Sequence, residues 1–144
     1  MKSLLLAITL SVAFSAIAAE KPNSTKVTGT VVTPKTVKDY SGLTLELCLY
    51  EYHPFIADKP ADLVAKLNLK KYTHKAGKET KTQFKVGEAG TIMAGMSYYL
   101  TCFVIDANGK RYLMGEKDGK RGLCKVLTGG NPNKVNLILR DLRK

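Results

Sequence analysis

The sequence predicts an all-β fold, a small immunoglobulin- or transthyretin-like β-sandwich of about 7–8 antiparallel strands. Three observations carry this. Apolar and polar residues alternate at period two through most of the chain, the spacing that turns one face of a strand inward. Gly, Pro and Asn punctuate these runs roughly every ten to fifteen residues. No stretch shows the periodicity of a long helix.

The elements follow in order. Lys26 to Thr33 sets Val27, Gly29 and Val31 against threonines. Leu43 to Tyr52 is the clearest strand: Leu43, Leu45, Leu47 and Leu49 line one face, and Thr44, Glu46, Cys48 and Tyr50 the other. One leucine face and one mixed face describe a sheet buried on one side. Leu63, Ala65, Leu67 and Leu69 alternate again, although Pro60-Ala61-Asp62 is also compatible with a short helix start. Thr80 to Val86 sets Thr82, Phe84 and Val86 against Lys81, Gln83 and Lys85. Tyr98 to Ile105 is apolar on both faces, as in a central strand. Asp106-Ala107-Asn108-Gly109 is a hairpin turn into Arg111 to Met114, because Asn-Gly favours the left-handed backbone such turns need. Lys117-Asp118-Gly119-Lys120 makes the next turn. Leu123 to Thr128 is a short strand, Gly129 to Asn133 a loop, and Lys134 to Arg140 a last strand with Val135, Leu137 and Leu139 inward. Gly129-Gly130 is not a phosphate loop, since no Lys-Ser/Thr or helix follows.

The N-terminus has the layout of a secretory signal peptide. A short basic start, Met1-Lys2-Ser3, precedes the apolar run Leu4 to Phe14 and the small-x-small site Ala16-Ile17-Ala18. The expected organisation is therefore a cleaved signal peptide over 1–18, a flexible leader over 19–25 and a single β-sandwich domain over 26–144. Residues 19 and 20 are Ala and Glu, so the expected junction has no lipid-accepting cysteine. No second apolar run approaches membrane-spanning length. The expected location is the periplasm or the exterior, as a soluble domain. Asn23-Ser24-Thr25 fits a glycosylation sequon and is read as chance beside a bacterial-type signal. Loss of Lys2 leaves 22 basic residues against 12 acidic ones, a net of +10. Such a surface favours anionic partners, while export argues against nucleic acid. Its plain reading is a solubilising surface.

Cysteine usage is odd in number: Cys48, Cys102 and Cys124. In an oxidising compartment the simplest expectation is one disulfide and one free thiol, with the pairing open. Cys48 falls on the face opposite the leucines, and Cys102 in a strand apolar enough to bury it. A metal-handling or redox role is the alternative functional reading, using these thiols or His53, His74, Met93, Met96 and Met114. Two histidines 21 residues apart form no ligand motif, and no C-x-x-C is present. A Cys48 dyad with His53 or His74 can be drawn, although Pro54 follows His53 at a strand end, and no Gly-x-Ser-x-Gly or His-Glu-x-x-His occurs. No catalytic residue, cofactor or resident metal is expected, and the chain is read as a non-enzyme.

Peptide binding is the most natural role for such a domain. An extended partner can add to a free sheet edge through main-chain hydrogen bonds. Tyr50 and Tyr52 lie opposite the leucines, with Tyr72 and Tyr99 grouped nearby in this reading. Tyrosines with basic neighbours suit an apolar, acidic segment of an envelope protein. These four are the candidate partner-binding residues; the oligomeric state is not legible.

Several stretches, taken in order, resemble one family. They are Gly29-Thr30-Val31, Leu43 to Leu47, Ala57 to Lys66, Phe84, Ile92-x-Ala94-Gly95-x-x-Tyr98, Leu100-x-Cys102-x-Val104, Asn108-Gly109-Lys110 and Val126 to Leu137. Together they look like the type III secretion system lipoprotein chaperone (YscW-like) family, which includes the YbaY-like envelope lipoproteins. The resemblance implies a small β-sandwich and a non-catalytic, chaperone-like role. Its understood members are lipid-anchored pilotins that bind a C-terminal segment of a secretin. The Ala19-Glu20 junction departs from that pattern, which sets the acyl-anchored pilotin role apart from what this chain is expected to keep.

Overall fold

The computed structural model describes residues 23–143; the expected signal peptide and Ala19 to Pro22 of the leader lie outside them. The eight strands are β1 (Val27–Thr33), β2 (Tyr40–Tyr52), β3 (Asp62–His74), β4 (Thr80–Val86), β5 (Ser97–Ile105), β6 (Arg111–Lys117), β7 (Cys124–Val126) and β8 (Lys134–Asp141). The ambiguous Leu63–Leu69 stretch is strand, and no helix forms among the described residues.

The strands make one sheet in the order β3-β2-β5-β6-β8-β1-β4, with β7 beside β5. This corrects the expected two-sheet sandwich: a single sheet curls into an almost closed barrel around its own apolar face. It also corrects the purely antiparallel expectation, because β8 is antiparallel to β6 but parallel to β1. Strand β5 makes the curl workable by sharing its partners. Its first half, Tyr98 to Leu100, pairs with β7, and its second half, Phe103 to Ile105, with β6.

The core is the sum of the inward rows. Leu45, Leu47 and Leu49 of β2 meet Leu100, Cys102 and Val104 of β5, Leu137 and Leu139 of β8, and Val27 and Val31 of β1. At Gly29 the sheet has no room for a side chain: a Cβ there would sit 1.9 Å from the Val135 carbonyl oxygen on neighbouring β8. Glycine thus lets β1 and β8 approach while Phe84 covers the gap. The Asp106–Gly109 turn forms as expected, with Gly109 at φ 79° and the Asp106 carboxylate accepting from the Asn108 and Lys110 amides.

The two outermost strands, β3 and β4, meet only at one end. There the Tyr72 and Thr82 hydroxyls lie 3.1 Å apart, and His74 Nδ1 lies 2.9 Å from Thr80 Oγ1. The β1–β2 loop reinforces this end: Gly77 N donates to the Lys35 carbonyl at 2.7 Å, and Ala76 N to Asp39 Oδ1 at 2.6 Å. Arg143 adds a clamp, bonding Asp141 and the carbonyls of Lys38 and Asp39; its guanidinium holds the Asp141 carboxyl below the usual range. The opposite end is held differently. Thr25, expected in the flexible leader, is buried, and its hydroxyl donates to the Gly87 carbonyl at 2.6 Å. Ser24 bridges to Thr91, so the ordered domain starts before Lys26.

Between these ends the β3–β4 seam stays open. The inward Ala65, Leu67 and Leu69 of β3 pack on the core but are only half-buried, whereas Leu45, Leu47 and Leu49 beside them are fully buried. Leu47 and Leu67 are cross-strand partners, which gives a direct comparison. Leu47→Ala should cost about 2–5 kcal/mol in chemical denaturation. Leu67→Ala should cost about 1 kcal/mol. Equal costs would mean that the seam is sealed.

Candidate functional site

The outer face of β2 and β5 gathers three of the four expected tyrosines. Period two puts Tyr50 and Tyr52 opposite the leucine row, and the register sets Tyr50 directly across from Tyr99. Their rings stack with centroids 5.1 Å apart and planes 18° apart, and Tyr52 tilts onto Tyr99 at 5.7 Å. Such contacts contribute about 0.5–1.5 kcal/mol beyond their buried area, which holds the rings as one rigid surface. A β-bulge after Leu49 brings Leu63 of β3 opposite Tyr50, and Leu63 is 54% exposed. Lys125 of β7 pairs across from Tyr99 and adds positive charge on the other flank. Burial and the neighbouring Cys48 push the Tyr50 hydroxyl up, so it stays a neutral donor.

Tyr72 does not join them. It is buried inside the barrel with its ring 5.9 Å from Tyr40. The cause is a second bulge. Extending the alternation of Leu63 to Leu69 would put Tyr72 outside, but Lys71 adopts φ 58° and the register shifts between Leu45/Leu69 and Leu43/Tyr72. One extra residue turns the rest of the strand over. Only the polar pair Lys70-Lys71 interrupting the pattern marks the place in the sequence.

The thiols sit on both sides of the sheet. Cys48 is on the outer face, as expected, yet only 3% exposed, between Lys66 of β3 and Thr101 of β5. Cys102 and Cys124 point inward and are buried, Cys102 as the sequence led one to expect. All three are free, in place of the expected disulfide and single thiol. The sheet itself separates Cys48 from the other two. Burial pushes all three thiols up; Glu46 adds to this at Cys48, and Cys124 adds to it at Cys102. None is therefore an activated thiolate.

The histidines do not assemble with Cys48. His53 lies five residues further along, about 16 Å at strand rise, and its Nδ1 accepts from the Phe55 amide. His74 lies inside, stacked on Tyr40 at 5.6 Å. Met93 is exposed in the β4–β5 loop, Met96 is half-buried before β5, and Met114 is on β6. Among the described residues no group of three or more His, Cys, Asp or Glu is placed to hold a metal ion.

Two features were not singled out from the sequence. One is the seam itself, which is a property of the closing geometry. The other is a basic pole, where the β1–β2 loop meets the end of β3 and the β3–β4 loop. It exposes Lys35, Lys38, Lys70, Lys71, Lys75 and Lys78 against Asp39 and Glu79. No helix among the described residues is long and apolar enough to cross a membrane.

No protein-family model matches the chain, and the search of curated proteins gives no match. Among solved structures the chain is similar to an alternative pilotin from the type II secretion system of Vibrio cholerae, with TM-score 0.53 and 18% identity, covering 80% of this chain and 96% of that one. At that identity the likeness is one of fold.

Thiol titration checks the site's chemistry. Protein purified without reductant and then denatured should give three free thiols per chain. In the native state all three should react slowly, with Cys48 first, because only side chains cover it. One thiol after denaturation would restore the disulfide.

Proposed function

We propose that this chain is a non-catalytic, chaperone-like envelope protein of the YscW/YbaY-like, pilotin-type class. It is exported by its N-terminal signal and holds a segment of another envelope protein. The observation that carries this is the Tyr50–Tyr99–Tyr52 stack, a rigid surface of half-buried aromatic rings on the outer face of the sheet. Tyrosines of this kind bury large area at small entropic cost and offer a hydroxyl at the rim, so they serve as anchors in protein interfaces. Leu63 extends the apolar part, and Lys125 supplies charge at its margin. The raised thiol pKa values and the dispersed histidines support a non-catalytic role over nucleophilic chemistry. Likeness to a pilotin makes a secretin segment the first partner to test.

Tyr99 touches both other rings and is the decisive residue. In-cell crosslinking followed by affinity measurement with the captured partner should show Tyr99→Ala weakening binding about tenfold or more, with the melting temperature little changed. Unchanged affinity in Tyr99→Ala and in the Tyr50→Ala/Tyr52→Ala double variant would overturn the surface assignment.

A further inference from the structure

The open seam has two free edges, and they are not equivalent. On β4 the inward Phe84 and Val86 are already buried, and Lys81 and Lys85 are paired with Glu79 at 3.3 Å and Glu88 at 2.7 Å. On β3 the apolar row is half-covered, and among the described residues no strand lies beyond it from Asp62 to Lys70. We propose that this β3 edge accepts an acidic, extended segment of a partner protein as an added strand. The proposal rests on the protein-binding role above and names the chemistry of the partner.

The pattern along β3 specifies that chemistry. Inward positions are Ala65, Leu67 and Leu69; outward positions between and after them are Lys66, Asn68 and Lys70. An added strand pairs its alternate side chains with the same alternation. Apolar residues on its inner face would finish covering Leu67 and Leu69. Acidic residues on its outer face would meet lysines. Lys66 already has Glu46 at 2.5 Å. Lys70 and Lys71 are exposed and have no carboxylate at ion-pair distance among the described residues. Lys78 at the adjoining pole is in the same condition.

Charge also selects against the competing occupant. A second copy pairing through β3 would set these lysines against their own counterparts, and like charges across a strand pair are destabilising. An alternating apolar–acidic segment meets no such repulsion. The edge thus rejects itself and admits its complement, by an attractive and a repulsive element together. The side-chain contacts Tyr72–Thr82 and His74–Thr80 set the limit of the added strand, because they close β4 against this end of β3.

The test uses the chain from Ala19 onward, which contains every described residue, and two synthetic peptides as long as Asp62–Lys70. One alternates Leu with Glu, the other Leu with Lys. Titration followed by amide NMR should show the Leu–Glu peptide shifting β3 amides between Asp62 and Lys70 and protecting them from exchange. It should bind at least tenfold tighter than the Leu–Lys peptide. The Lys70→Glu/Lys71→Glu variant should reverse that preference, and Tyr99→Ala should leave it unchanged. Equal binding of the two peptides, shifts confined to Tyr50 and Tyr99, or self-association through β3 without peptide would each overturn the proposal. Loss of peptide binding with Tyr99-dependent capture intact would remove this edge and leave the protein-binding role standing.

Discussion

The structure depends on how far β3 and β4 come together. A curled sheet buries its apolar face only by bringing its edges into contact, and here contact is made at one end. Two side-chain pairs, Tyr72–Thr82 and His74–Thr80, and the zipped β1–β2 and β3–β4 loops do this. Inward of that end, Val31 and Leu113 are fully buried. Beyond it the edges part and leave Leu67 and Leu69 half-covered. The bulge at Lys71 is what allows the closure, since it swings Tyr72 and His74 inward. His74 Nε2 is left buried without a hydrogen-bond partner among the described residues, a cost borne at the same junction.

Much of this was legible along the chain and little of it across the chain. Alternation located five strands, one of them also compatible with a helix start; an apolar run and turn signals located the other three, and the Asp106–Gly109 turn fell where Asn-Gly placed it. Those signals are local. The order of strands, the parallel β1–β8 pair and the single curled sheet arise from long-range pairing, and period two is the same for a sandwich and a barrel. The tyrosines show the same division. Tyr50, Tyr52 and Tyr99 follow from alternation and register, whereas Tyr72 was turned inward by one inserted residue. Cys48 was assigned to the correct face, but burial under its neighbours is invisible to a one-dimensional pattern. The disulfide expectation rested on compartment and count; the sheet between Cys48 and the inner pair removes two of the three pairings, and Cys102 and Cys124 are free on its inner side.

The two proposed contacts lie on neighbouring strands, the aromatic stack on β5 and β2 and the open edge on β3. The stack lies on the outer face near the Tyr52 end of β2, and the lysine-rich edge runs toward the other end of the barrel. Leu63 lies between them, opposite Tyr50 and at the start of the free edge. A segment laid along β3 would therefore run from the aromatic surface toward the basic pole. Apolar contact would dominate at one end and charge at the other, with the rigid barrel fixing the distance between them.

Hydrogen exchange of the free protein tests the open seam most directly. In an antiparallel pair alternate residues turn both backbone groups toward the partner, and the residues between turn them away. If β3 is an open edge, every second amide between Leu63 and Lys70 should exchange orders of magnitude faster than the amides of β2. The intervening amides should be protected. Uniform protection along β3 would contradict the account, because it would mean that another part of the chain, or another copy, already covers the edge.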